Sequence, residues 1–458
     1  MQRKWKLDGT AVDMVPASLI VWKPLHMKSA SRMLIASLHS LPTEEVMICG
    51  WVYRLRELAR TTFIIVRDCS GEVQCVASST AIQAVSLKLD EPVEIKGKVR
   101  PDTRAKAGFE VEVFEISVLN RVTQILPFNS SSNIAEIGID TILNHRPLSL
   151  RNQSIGDIFK IQAAILDYFR FFLKERYFTE IFTSKIVSSG TEGGTNLFEI
   201  KYFERCAYLA QSPQFYKEYG VAGLERVFET GHVYRAEPHA SSRHLTEYYS
   251  LDLEMGFIDS PQELIQLERE LLNFIFERLN QDYGEILKRY REKLLPQMLN
   301  VPVWEFDECL RLLNQHFGRS DLVDDLDPEA ERQLCQLAES ETGIPALFVI
   351  GFPLIGRPFY THPRGNGGAA QSFDLLFEGI ELTTGGQRLH KREDLEQALR
   401  NRSIDPVSFE THLRMFELGM PTHGGLAIGL ERLTARILHL ANVRQATLYP
   451  RDRYRIAP

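Results

Sequence analysis

The chain has 458 residues, of which 44% are hydrophobic and 25% are charged, and its formal net charge is −7. This length favours two or more domains, and no apolar run reaches the ~18 residues that a membrane-spanning helix needs, so we expect no membrane partner. The negative charge gives no overall basic field, so an RNA partner would have to be bound by local patches. The six cysteines form no CxxC pair, which argues against a zinc knuckle and a disulfide framework.

Residues 1–30 carry Pro16 and Pro24 and show no clear periodicity. Their basic start and short apolar stretch, SLIVW, are not followed by the small-residue cleavage site that a signal peptide needs. We therefore interpret residues 1–30 as an N-terminal extension without an assigned role, and we expect a cytoplasmic protein.

Residues 31–122 contain five short runs in which apolar and polar residues alternate. The runs are VMICGWVYRL, TTFIIVRD, GEVQCVAS, PVEIKGKVR and FEVEVFEISVL, and turn-forming sequences such as DCSG and RPDTRAKAG separate them. Alternation of this kind indicates half-buried strands. Five short strands in such a segment predict a small closed all-β barrel of the OB-fold type.

The pattern changes after a stretch rich in serine, LPFNSSSN at 126–133, which we assign to a hinge over residues 123–155. Apolar residues recur every three or four positions in SIGDIFKIQAAILDYFRFFLKERYF and again in residues 261–295, within a predicted helical insertion at about 260–345. Strand patterns return in FDLLFEGIELTTGG and GGLAIGLERL, without regular alternation of strands and helices. Residues 156–458 are therefore predicted to form an α+β domain on an antiparallel sheet.

Residues 226–257, RVFETGHVYRAEPHASSRHLTEYYSLDLEMGF, contain two alternating runs joined by a polar loop. The runs predict a long antiparallel hairpin, in which alternation puts Val233, Arg235 and Glu237 on one face. The loop would hold Arg243 and His244 beyond the sheet, where cationic side chains could neutralise a triphosphate. Taken alone, the same pattern fits a surface hairpin with ordinary ion pairs equally well.

The segment GGLAIGLERL at 424–433 places small residues before Glu431 and Arg432. Glycine allows the backbone to approach a ligand closely, and an arginine at such a position can stack on a purine or contact phosphate. A glycine-rich segment can equally serve to pack a helix against a strand. Because no strand-turn-helix unit of the dinucleotide-binding type surrounds it, the segment does not predict a dinucleotide-binding site.

Several segments together resemble class II aminoacyl-tRNA synthetases of subclass IIb, which activate aspartate, asparagine or lysine. FTEIFTSKIV resembles the first signature motif of this family, FETGHVYRAE through LDLEMGF the second, and GLAIGLERL the third. The resemblance covers nearly everything after about residue 45, including TEGGTNLF and the ending LYPRDRYRIAP. It implies an antiparallel-sheet catalytic domain, an OB barrel that binds the tRNA anticodon, and a homodimer.

Within this family, QSPQFYK at 211–217 and TTGGQRLH at 383–390 resemble the aspartyl enzymes of the archaeal and eukaryotic type. The resemblance implies that the amino acid is L-aspartate. Lys217 and Arg388 suit its side-chain carboxylate, because a neutral amide would leave buried cations unpaired. The resemblance also makes Glu192, Gln214 and Asp374 contacts of the amino acid, with Glu192 suited to the ammonium group.

The same resemblance implies ATP as co-substrate and Mg²⁺ as the metal. Arg235 corresponds to the arginine on the α-phosphate and Arg432 to the arginine that stacks on adenine, and these are the predicted catalytic residues. Glu381 and Thr384 correspond to the Mg²⁺ ligands, with threonine in place of the more usual serine. The predicted ATP contacts are Arg235, Glu237, Arg243, His244, Leu245, Tyr248, Glu381, Gly429 and Arg432.

The implied reaction activates aspartate to aspartyl-adenylate and transfers it to the 3′ end of tRNA-Asp. In the barrel, Arg56, Phe63 and Gln74 match residues with which relatives bind the central anticodon base, and Phe63 would stack on it. An isolated phenylalanine at this position would instead be interpreted as barrel core. Tyr53 and Lys106 give conflicting indications of tRNA choice, so whether tRNA-Asn is a second acceptor stays open.

Ser184 and Thr422 depart from the family pattern, because prolines are usual at both positions. Ser184 corresponds to the dimer interface, so we expect an altered interface while dimerisation is kept. Two alternatives remain. One is a paralogue that uses aspartyl-adenylate for a non-tRNA acceptor, which has no need of an anticodon barrel. The other is a catalytically inactive RNA-binding protein, which has no need of a phosphate and metal site.

Overall fold

A computed structural model describes residues 6–7, 10–11, 32–40, 44–190, 197–238, 241–365 and 368–458. The chain forms two compact units, Met1–Ser132 and Asn133–Pro458. Within the described ranges, no helix is both long and apolar enough to span a membrane.

The first unit contains the predicted OB barrel. Its strands close in the order β3-β4-β5-β7-β6, and every pair is antiparallel except β5 with β7. The strands of this unit are β1 (Lys6–Leu7), β2 (Thr10–Ala11), β3 (Glu45–Glu57), β4 (Thr61–Arg67), β5 (Glu72–Ser78), β6 (Pro92–Pro101) and β7 (Phe109–Val118). Helix α1 (Ser79–Val85) follows β5, and a 3-10 helix (Ile35–Ser40) precedes β3.

The barrel strands form because alternate residues are apolar. In β4, Ile64 and Val66 are fully buried, whereas Phe63 and Ile65, which alternate with them, are only half-buried on the outer face. The same alternation in the other strands brings Ile48, Val73 and Val111 into one core. All five predicted runs are thus strands of one closed barrel, and the predicted fold of this region is confirmed.

The second unit is built on an eight-stranded sheet in the order β14-β15-β18-β19-β20-β13-β12-β8. Its six inner strands are antiparallel neighbours, and only the two outermost pairs are parallel, which confirms the predicted α+β class. The strands of this sheet are β8 (Thr179–Glu180), β12 (Arg226–Tyr234), β13 (Glu247–Gly256), β14 (Val303–Glu305), β15 (Ala346–Ile350), β18 (Ser372–Phe377), β19 (Ile380–Gln387) and β20 (His423–Gly429). Smaller sheets contain β9 (Ile186–Val187), β10 (Glu199–Tyr202), β11 (Arg205–Leu209), β16 (Pro363–Arg364) and β17 (Ala369–Ala370).

Helices cover the sheet and its edges. They are α2 (Ile139–Asn144), α3 (Arg146–Ser149), α4 (Gln153–Lys174), α5 (Gln214–Leu224), α6 (Gln262–Asp282), α7 (Gly284–Leu287), α8 (Phe306–Phe317), α9 (Pro328–Thr342), α10 (Arg392–Asn401), α11 (Glu410–Phe416) and α12 (Leu430–Ile437). Short 3-10 helices lie at Ile134–Glu136, Leu354–Gly356, Pro406–Phe409 and Val443–Ala446.

The main core lies between one face of the sheet and helices α4 and α6. Helix α4 begins where the Asn152 side chain accepts the backbone N–H of Ser154 at 3.0 Å. Its residues Ile161 and Phe169 pack in the same cluster as Leu251 and Leu253 of β13. Because residues two apart on a strand share a face, β13 is left with a polar face opposite this core.

The helical prediction for residues 261–295 is correct for α6 and α7 and wrong beyond Leu287. The Asn280 side chain accepts the backbone N–H of Leu295 at 3.0 Å and donates to its carbonyl oxygen at 3.1 Å. These bonds hold the chain after α7 against α6, where the Leu295 and Met298 side chains are buried. The apolar residues that suggested a longer helix therefore pack back on the core instead.

The predicted hairpin is formed by β12 and β13, but β12 is shorter than its sequence pattern. The strand ends at Tyr234, and the Arg235 N–H still donates to the Thr246 carbonyl at 2.9 Å. The Glu237 N–H then donates to the Arg235 carbonyl at 2.8 Å, which turns the chain. Arg235 and Glu237 are consequently loop residues at the end of the hairpin.

Candidate active site

A cavity of about 360 Å³ lies on the polar face of the central strands of the second unit, and this volume is within the ~300–1,000 Å³ usual for small-molecule sites. Ser250 of β13, Ala427 and Gly429 of β20, and Thr384 of β19 form its floor. Ser250 pairs with Gly429, and Thr384 with Ala427, so the strand register brings these positions to one face.

Most residues predicted for the amino-acid and ATP sites line this cavity. They are Gln214, Lys217, Arg235, Glu237, Arg243, His244, Leu245, Tyr248, Glu381, Thr384, Arg388, Gly429 and Arg432. Lining residues that the sequence analysis missed include Ser212, Arg357, Tyr360, Thr361 and Ser372. We call the part around Gln214, Lys217 and Arg388 the buried end, and the part around Arg243, Glu381 and Arg432 the exposed end.

Lys217 and Arg388 at the buried end are held by two carboxylates of β13. Lys217 Nζ is 2.9 Å from Asp252 and 3.4 Å from Glu254, and Arg388 Nε donates to Glu254 at 3.0 Å. Lys217 is only 1% exposed and Arg388 6%. Burial opposes the charge of Lys217, but Asp252 and Glu254 outweigh it, so the pKa of Lys217 lies above its usual value. Two cations thus stay charged inside the protein.

Gly425 makes this arrangement possible. A Cβ atom at this position would overlap with the Leu253 carbonyl oxygen and the Glu254 carboxylate. Arg388 Nη2 also donates to the Gly425 carbonyl at 3.1 Å. The glycine-rich segment therefore allows a carboxylate and a guanidinium to lie directly against the backbone of β20.

Asp252 and Glu254 were not predicted as site residues, although the sequence contained a signal for them. They alternate with Leu251 and Leu253 in the strand, so one face is apolar and the other acidic. Both acids are fully or almost fully buried. Buried carboxylates need cationic partners, and this requirement points to the neighbouring Lys217 and Arg388.

Two predicted amino-acid contacts are not among the residues that line the cavity. Asp374 pairs with Thr384 and so lies on the same face of the sheet, where it accepts two hydrogen bonds from the lining residue Arg357, at 2.8 and 2.7 Å. Burial raises the pKa of Asp374, and the facing guanidinium of Arg357 opposes this shift. Glu192 lies outside the described residues.

The arginines of the hairpin loop differ in how they are held. The Arg235 guanidinium lies 5.9 Å from the ring centre of Tyr248, within the range of a cation–π contact. Arg243 forms an ion pair with Glu331 of α9, whose carboxylate also accepts the backbone N–H of Glu381 at 3.0 Å. Glu331 therefore links the loop to the strand that carries Glu381.

A β-bulge explains why Glu381 and Thr384 face the same way. The register of β18 and β19 shifts between Leu375 and Leu376, and the extra residue on β19 changes the alternation. Thr384 Oγ1 donates to Glu381 Oε1 at 3.2 Å, and Arg432 Nη1 donates to the Glu381 carbonyl at 2.9 Å. The bulge thus brings a carboxylate, a hydroxyl and a guanidinium together.

The exposed end can accommodate a divalent cation with oxygen ligands. Among the described residues, no group of three or more His, Cys, Asp and Glu side chains is arranged to hold a metal by itself. Mg²⁺ is usually held by one or two protein oxygens together with phosphate and water. The Glu381 carboxylate and Thr384 hydroxyl fit that kind of site.

Glu431 fixes the start of α12 beside Arg432. Its carboxylate accepts the backbone N–H of Tyr249 at 3.1 and 3.2 Å, and burial raises its pKa to about 7. The contact ties β13 to the turn between β20 and α12. Arg432 is thereby attached to a rigid part of the sheet.

In the barrel, Arg56 pairs with Phe63, and Gln74 pairs with Ile65 on the next strand. Phe63 points away from the apolar core, so the interpretation of this residue as barrel core is wrong. Gln74 Nε2 donates to Glu110 at 2.9 Å. The outer face of β3, β4 and β5 therefore presents a cation, a ring and an amide close together.

Tyr53 and Lys106, which bear on tRNA choice, lie in different surroundings. Tyr53 lies at a register shift in β3, is buried, and has the Arg54 and Arg67 guanidinium groups over its ring. Lys106 is exposed and lies 2.9 Å from Glu72. Neither contact indicates a preference between two tRNAs.

Residues 138–453 match the family model of class II tRNA synthetases (D, K and N), and residues 46–119 match the OB-fold nucleic acid binding domain. The chain is 41% identical to an aspartate–tRNA(Asp/Asn) ligase of Deinococcus radiodurans, over 91% of this chain and 97% of the relative. It is 40% identical to the ligase of the same name in Thermus thermophilus, over 93% of this chain and 100% of the relative.

Among solved structures, the asparaginyl-tRNA synthetase of Pyrococcus horikoshii complexed with asparaginyl-adenylate superposes with a TM-score of 0.88. It is 28% identical, and the match covers 94% of this chain and all of that one. With a family match over most of the second unit and relatives aligned over nearly the whole length, the chain belongs to the class II aminoacyl-tRNA synthetases of the aspartate, lysine and asparagine group.

Proposed function

We propose that the chain is an aspartate–tRNA ligase, which activates L-aspartate with ATP and transfers it to the 3′ end of tRNA-Asp. The observation that carries the proposal is the buried end of the cavity, where Lys217 and Arg388, which are 1% and 6% exposed, are held by the buried carboxylates of Asp252 and Glu254. The names of the two bacterial relatives support the same amino acid.

Aspartate would bind with its side-chain carboxylate toward Lys217 and Arg388. Asp252 and Glu254 already balance the charges of Lys217 and Arg388, but a neutral amide brings no negative charge and directs N–H donors at these cations, so asparagine would bind less favourably than aspartate. Gln214 donates its amide N–H to Glu218 at 2.8 Å, which leaves its carbonyl oxygen as the acceptor for the substrate ammonium group.

In the first step, the aspartate α-carboxylate oxygen forms a bond to the α-phosphorus of ATP. The bond from that phosphorus to the pyrophosphate oxygen breaks, and pyrophosphate leaves with the electron pair. Arg235 would stabilise the negative charge on the α-phosphate, while Arg243 and His244 bind the outer phosphates. Arg432 and Tyr248 would hold the adenine, so the reaction depends mainly on positioning.

The Glu381 carboxylate and Thr384 hydroxyl would hold Mg²⁺ together with oxygens of the triphosphate. When bound, this ion neutralises charge on the phosphate oxygens. The ion pair between Arg432 and Glu381, at 3.6 Å, would keep that carboxylate directed toward the nucleotide.

In the second step, a ribose hydroxyl at the 3′ end of tRNA attacks the aspartyl carbonyl, and AMP leaves. Arg56, Phe63 and Gln74 would bind the anticodon, with Phe63 stacked on a base. Stacking of this kind contributes ~1–3 kcal/mol per base. The names of the two relatives include tRNA-Asn as a second acceptor, and charging of the two tRNAs in parallel distinguishes strict from relaxed acceptor choice.

We infer that the protein is a homodimer through the segment that carries the first signature motif. Tyr177 directly before this segment, Phe182 within it and Phe203 after it are more than 70% exposed, and Ser184 within the segment is exposed as well. Large apolar side chains at the surface favour association with a second subunit. Sedimentation equilibrium should give twice the mass of one chain, and a monomer at micromolar concentration would contradict this inference.

Aminoacylation of purified tRNA with labelled aspartate tests the proposed function. The wild-type protein should charge tRNA-Asp, and Arg235→Ala should lower the charging rate by about 10³-fold or more because charge on the α-phosphate is no longer neutralised. Binding of tRNA-Asp should stay within about threefold of wild type, since the barrel is unchanged. A folded wild-type protein that binds tRNA without charging it would support the inactive RNA-binding alternative.

A parallel assay distinguishes the alternative with a non-tRNA acceptor. If aspartate drives the exchange of pyrophosphate into ATP but neither tRNA-Asp nor tRNA-Asn is charged, the acceptor is another molecule. Charging of both tRNAs would show relaxed acceptor choice, and charging of tRNA-Asp alone would show strict choice.

A further inference from the structure

Behind the buried end of the cavity, Glu218 is a fully buried acid that the reaction itself does not use. It lies on α5 one turn after Gln214, whose amide nitrogen donates to Glu218 Oε1 at 2.8 Å. Gln214 lines the cavity, so Glu218 lies one hydrogen bond away from the bound substrate.

The second carboxylate oxygen of Glu218 faces a histidine. Glu218 Oε2 is 3.7 Å from His412 Nε2 on α11, and neither atom has a hydrogen-bond partner among the described residues. His412 Nδ1 lies 2.9 Å from the Tyr219 hydroxyl, and its ring stacks on Phe215 with 3.9 Å between ring centres. Glu218 and His412 are therefore held in place with one hydrogen-bonding atom each directed at the other.

The charged and titratable groups around Glu218 come from α5 itself and from four other places in the fold. Glu254 on β13, Lys217 on α5 and Arg388 after β19 act on Glu218 directly, and Asp252 on β13 pairs with Lys217. The histidines are His412 on α11 and His423 on β20. The charges of the two acids and two cations sum to zero, so the net charge of this region depends on whether Glu218 and the two histidines are protonated.

Burial, together with the charge of Glu254, raises the pKa of Glu218 to about 8. Burial also lowers the pKa of His412 to about 3, and it lowers that of His423. Near neutral pH, the arrangement is therefore an uncharged carboxylic acid facing an uncharged imidazole. An ion pair between them is disfavoured because each charge would be fully desolvated.

We propose that Glu218 is a positioning residue that acts as a neutral acid, orienting Gln214 and keeping the buried end of the cavity free of net negative charge so that an anionic amino acid can bind. This inference rests on the proposed function, because it assumes that the amino acid at the buried end carries a negative side chain. It assigns Glu218 a role that requires a proton on its carboxyl group.

The sign of the pH dependence follows from this proton. Below about pH 8 Glu218 is neutral, and aspartate meets a region with zero net charge. Above that pH the carboxyl ionises and repels the substrate carboxylate, so the KM for aspartate should rise. The side chain of the Glu218→Gln variant cannot ionise, so its affinity for aspartate should not depend on pH in this way. Affinity should be kept because glutamine retains an acceptor for Gln214 and has an N–H toward His412.

The experiment measures the KM for aspartate in ATP/pyrophosphate exchange at saturating ATP, between about pH 6.5 and pH 9. For the wild type we expect a rise of about tenfold above pH 8 with little change in kcat. Glu218→Gln should keep a KM within about threefold of the low-pH value of wild type at every pH. Glu218→Ala should raise the KM throughout the range, because Gln214 loses its nearer acceptor and keeps only the Glu254 carboxylate at 3.5 Å.

Glu268→Gln is the matched control. Glu268 on α6 is also fully buried, burial raises its pKa to about 8, and it is not among the residues that line the cavity. This variant should show the same alkaline rise in KM as the wild type. A rise in Glu218→Gln equal to that of wild type would overturn the proposal, as would loss of aspartate binding by folded Glu218→Gln at neutral pH.

Urea unfolding reports on the proton of Glu218 without any activity. An acid with a raised pKa in the folded state takes up a proton on folding, so its contribution to stability is full below its usual pKa of 4.5 and lost as the pH rises to about 8. Between pH 4.5 and about pH 8, the stability of the Glu218→Gln variant should therefore decline less than that of the wild type. An unchanged decline would overturn the inference even if the wild type were inactive, whereas absence of exchange at all pH values would contradict only the proposed function.

Discussion

The Lys217 and Arg388 side chains at the buried end of the cavity are 1% and 8% exposed, whereas the Arg432 and Glu381 side chains at the exposed end are 30% and 40% exposed. At the buried end, every cation contacts a buried carboxylate at 2.9 to 3.4 Å. At the exposed end, the pair of Arg432 with Glu381 is 3.6 Å apart and open to solvent.

This difference suits the two ligands. To select one small amino acid, a site needs charged groups that make binding of the wrong side chain energetically unfavourable. Desolvated charges have this effect, because their interactions are stronger than those of charges in water. ATP is bound and its products, pyrophosphate and AMP, are released in every cycle, so the phosphates need cations that water can reach, because solvent screening limits how tightly each cation holds them. The buried end should therefore set specificity, and the exposed end should set nucleotide affinity.

The largest effect is expected for Lys217→Met. The change removes a cation from the buried end and leaves Asp252 and Glu254 with less compensation, so we expect kcat/KM for aspartate to fall by about 10³-fold. The KM for ATP should change by less than about threefold. Both constants can be measured by ATP/pyrophosphate exchange.

Arg291→Met is the control for loss of a buried charge elsewhere. Arg291 is buried, lies 3.1 Å from Glu378 and is not among the residues that line the cavity. This variant should lose stability without a selective rise in the KM for aspartate. Equal effects of the two variants on aspartate activation would contradict the distinct role of the buried end.

A smaller effect is expected for Glu331→Gln at the exposed end. Without the carboxylate, Arg243 loses its ion pair, while the new side chain still offers an oxygen to the Glu381 N–H. The KM for ATP should rise by about three- to tenfold, with the KM for aspartate unchanged. A fall in the KM for ATP would mean that Glu331 competes with phosphate for Arg243.

The smallest effect is expected from salt. Raising the ionic strength from about 0.05 M to about 0.5 M shortens the screening length severalfold, and the KM for ATP should rise by about two- to threefold. The KM for aspartate should stay constant because the buried charges are inaccessible to ions. Both KM values can be measured during a titration with potassium chloride at fixed pH. An equal dependence of the two KM values on salt would contradict the proposed difference between the buried end and the exposed end.

The sequence allowed the barrel, the hairpin and most cavity residues to be predicted because their signals are local. Alternation in TTFIIVRD or YYSLDLEMGF is visible within one strand, and the family motifs fix Arg235 and Arg432. The partners of these residues depend on contacts far apart in the chain. Arg357 reaches Asp374 from an irregular segment, and Glu331 reaches Arg243 from α9.

Glu218 and His412 show even more clearly that contacts between distant parts of the chain are not predicted by local sequence patterns. Each occurs in an amphipathic helix where a polar residue is unremarkable, and they are 194 positions apart in the chain, as their numbers show. Only the packing of α5 against α11 makes both of them buried and mutually facing. Their chemistry therefore follows from tertiary structure and has no sequence motif.

The most direct measurement is the ratio of kcat/KM for aspartate to kcat/KM for asparagine in ATP/pyrophosphate exchange by the wild-type protein. The account predicts a ratio of at least about 10³, since asparagine would leave Lys217 and Arg388 without an anionic partner from the substrate. A ratio near one, or faster exchange with asparagine, would contradict the claim that the buried charges select aspartate.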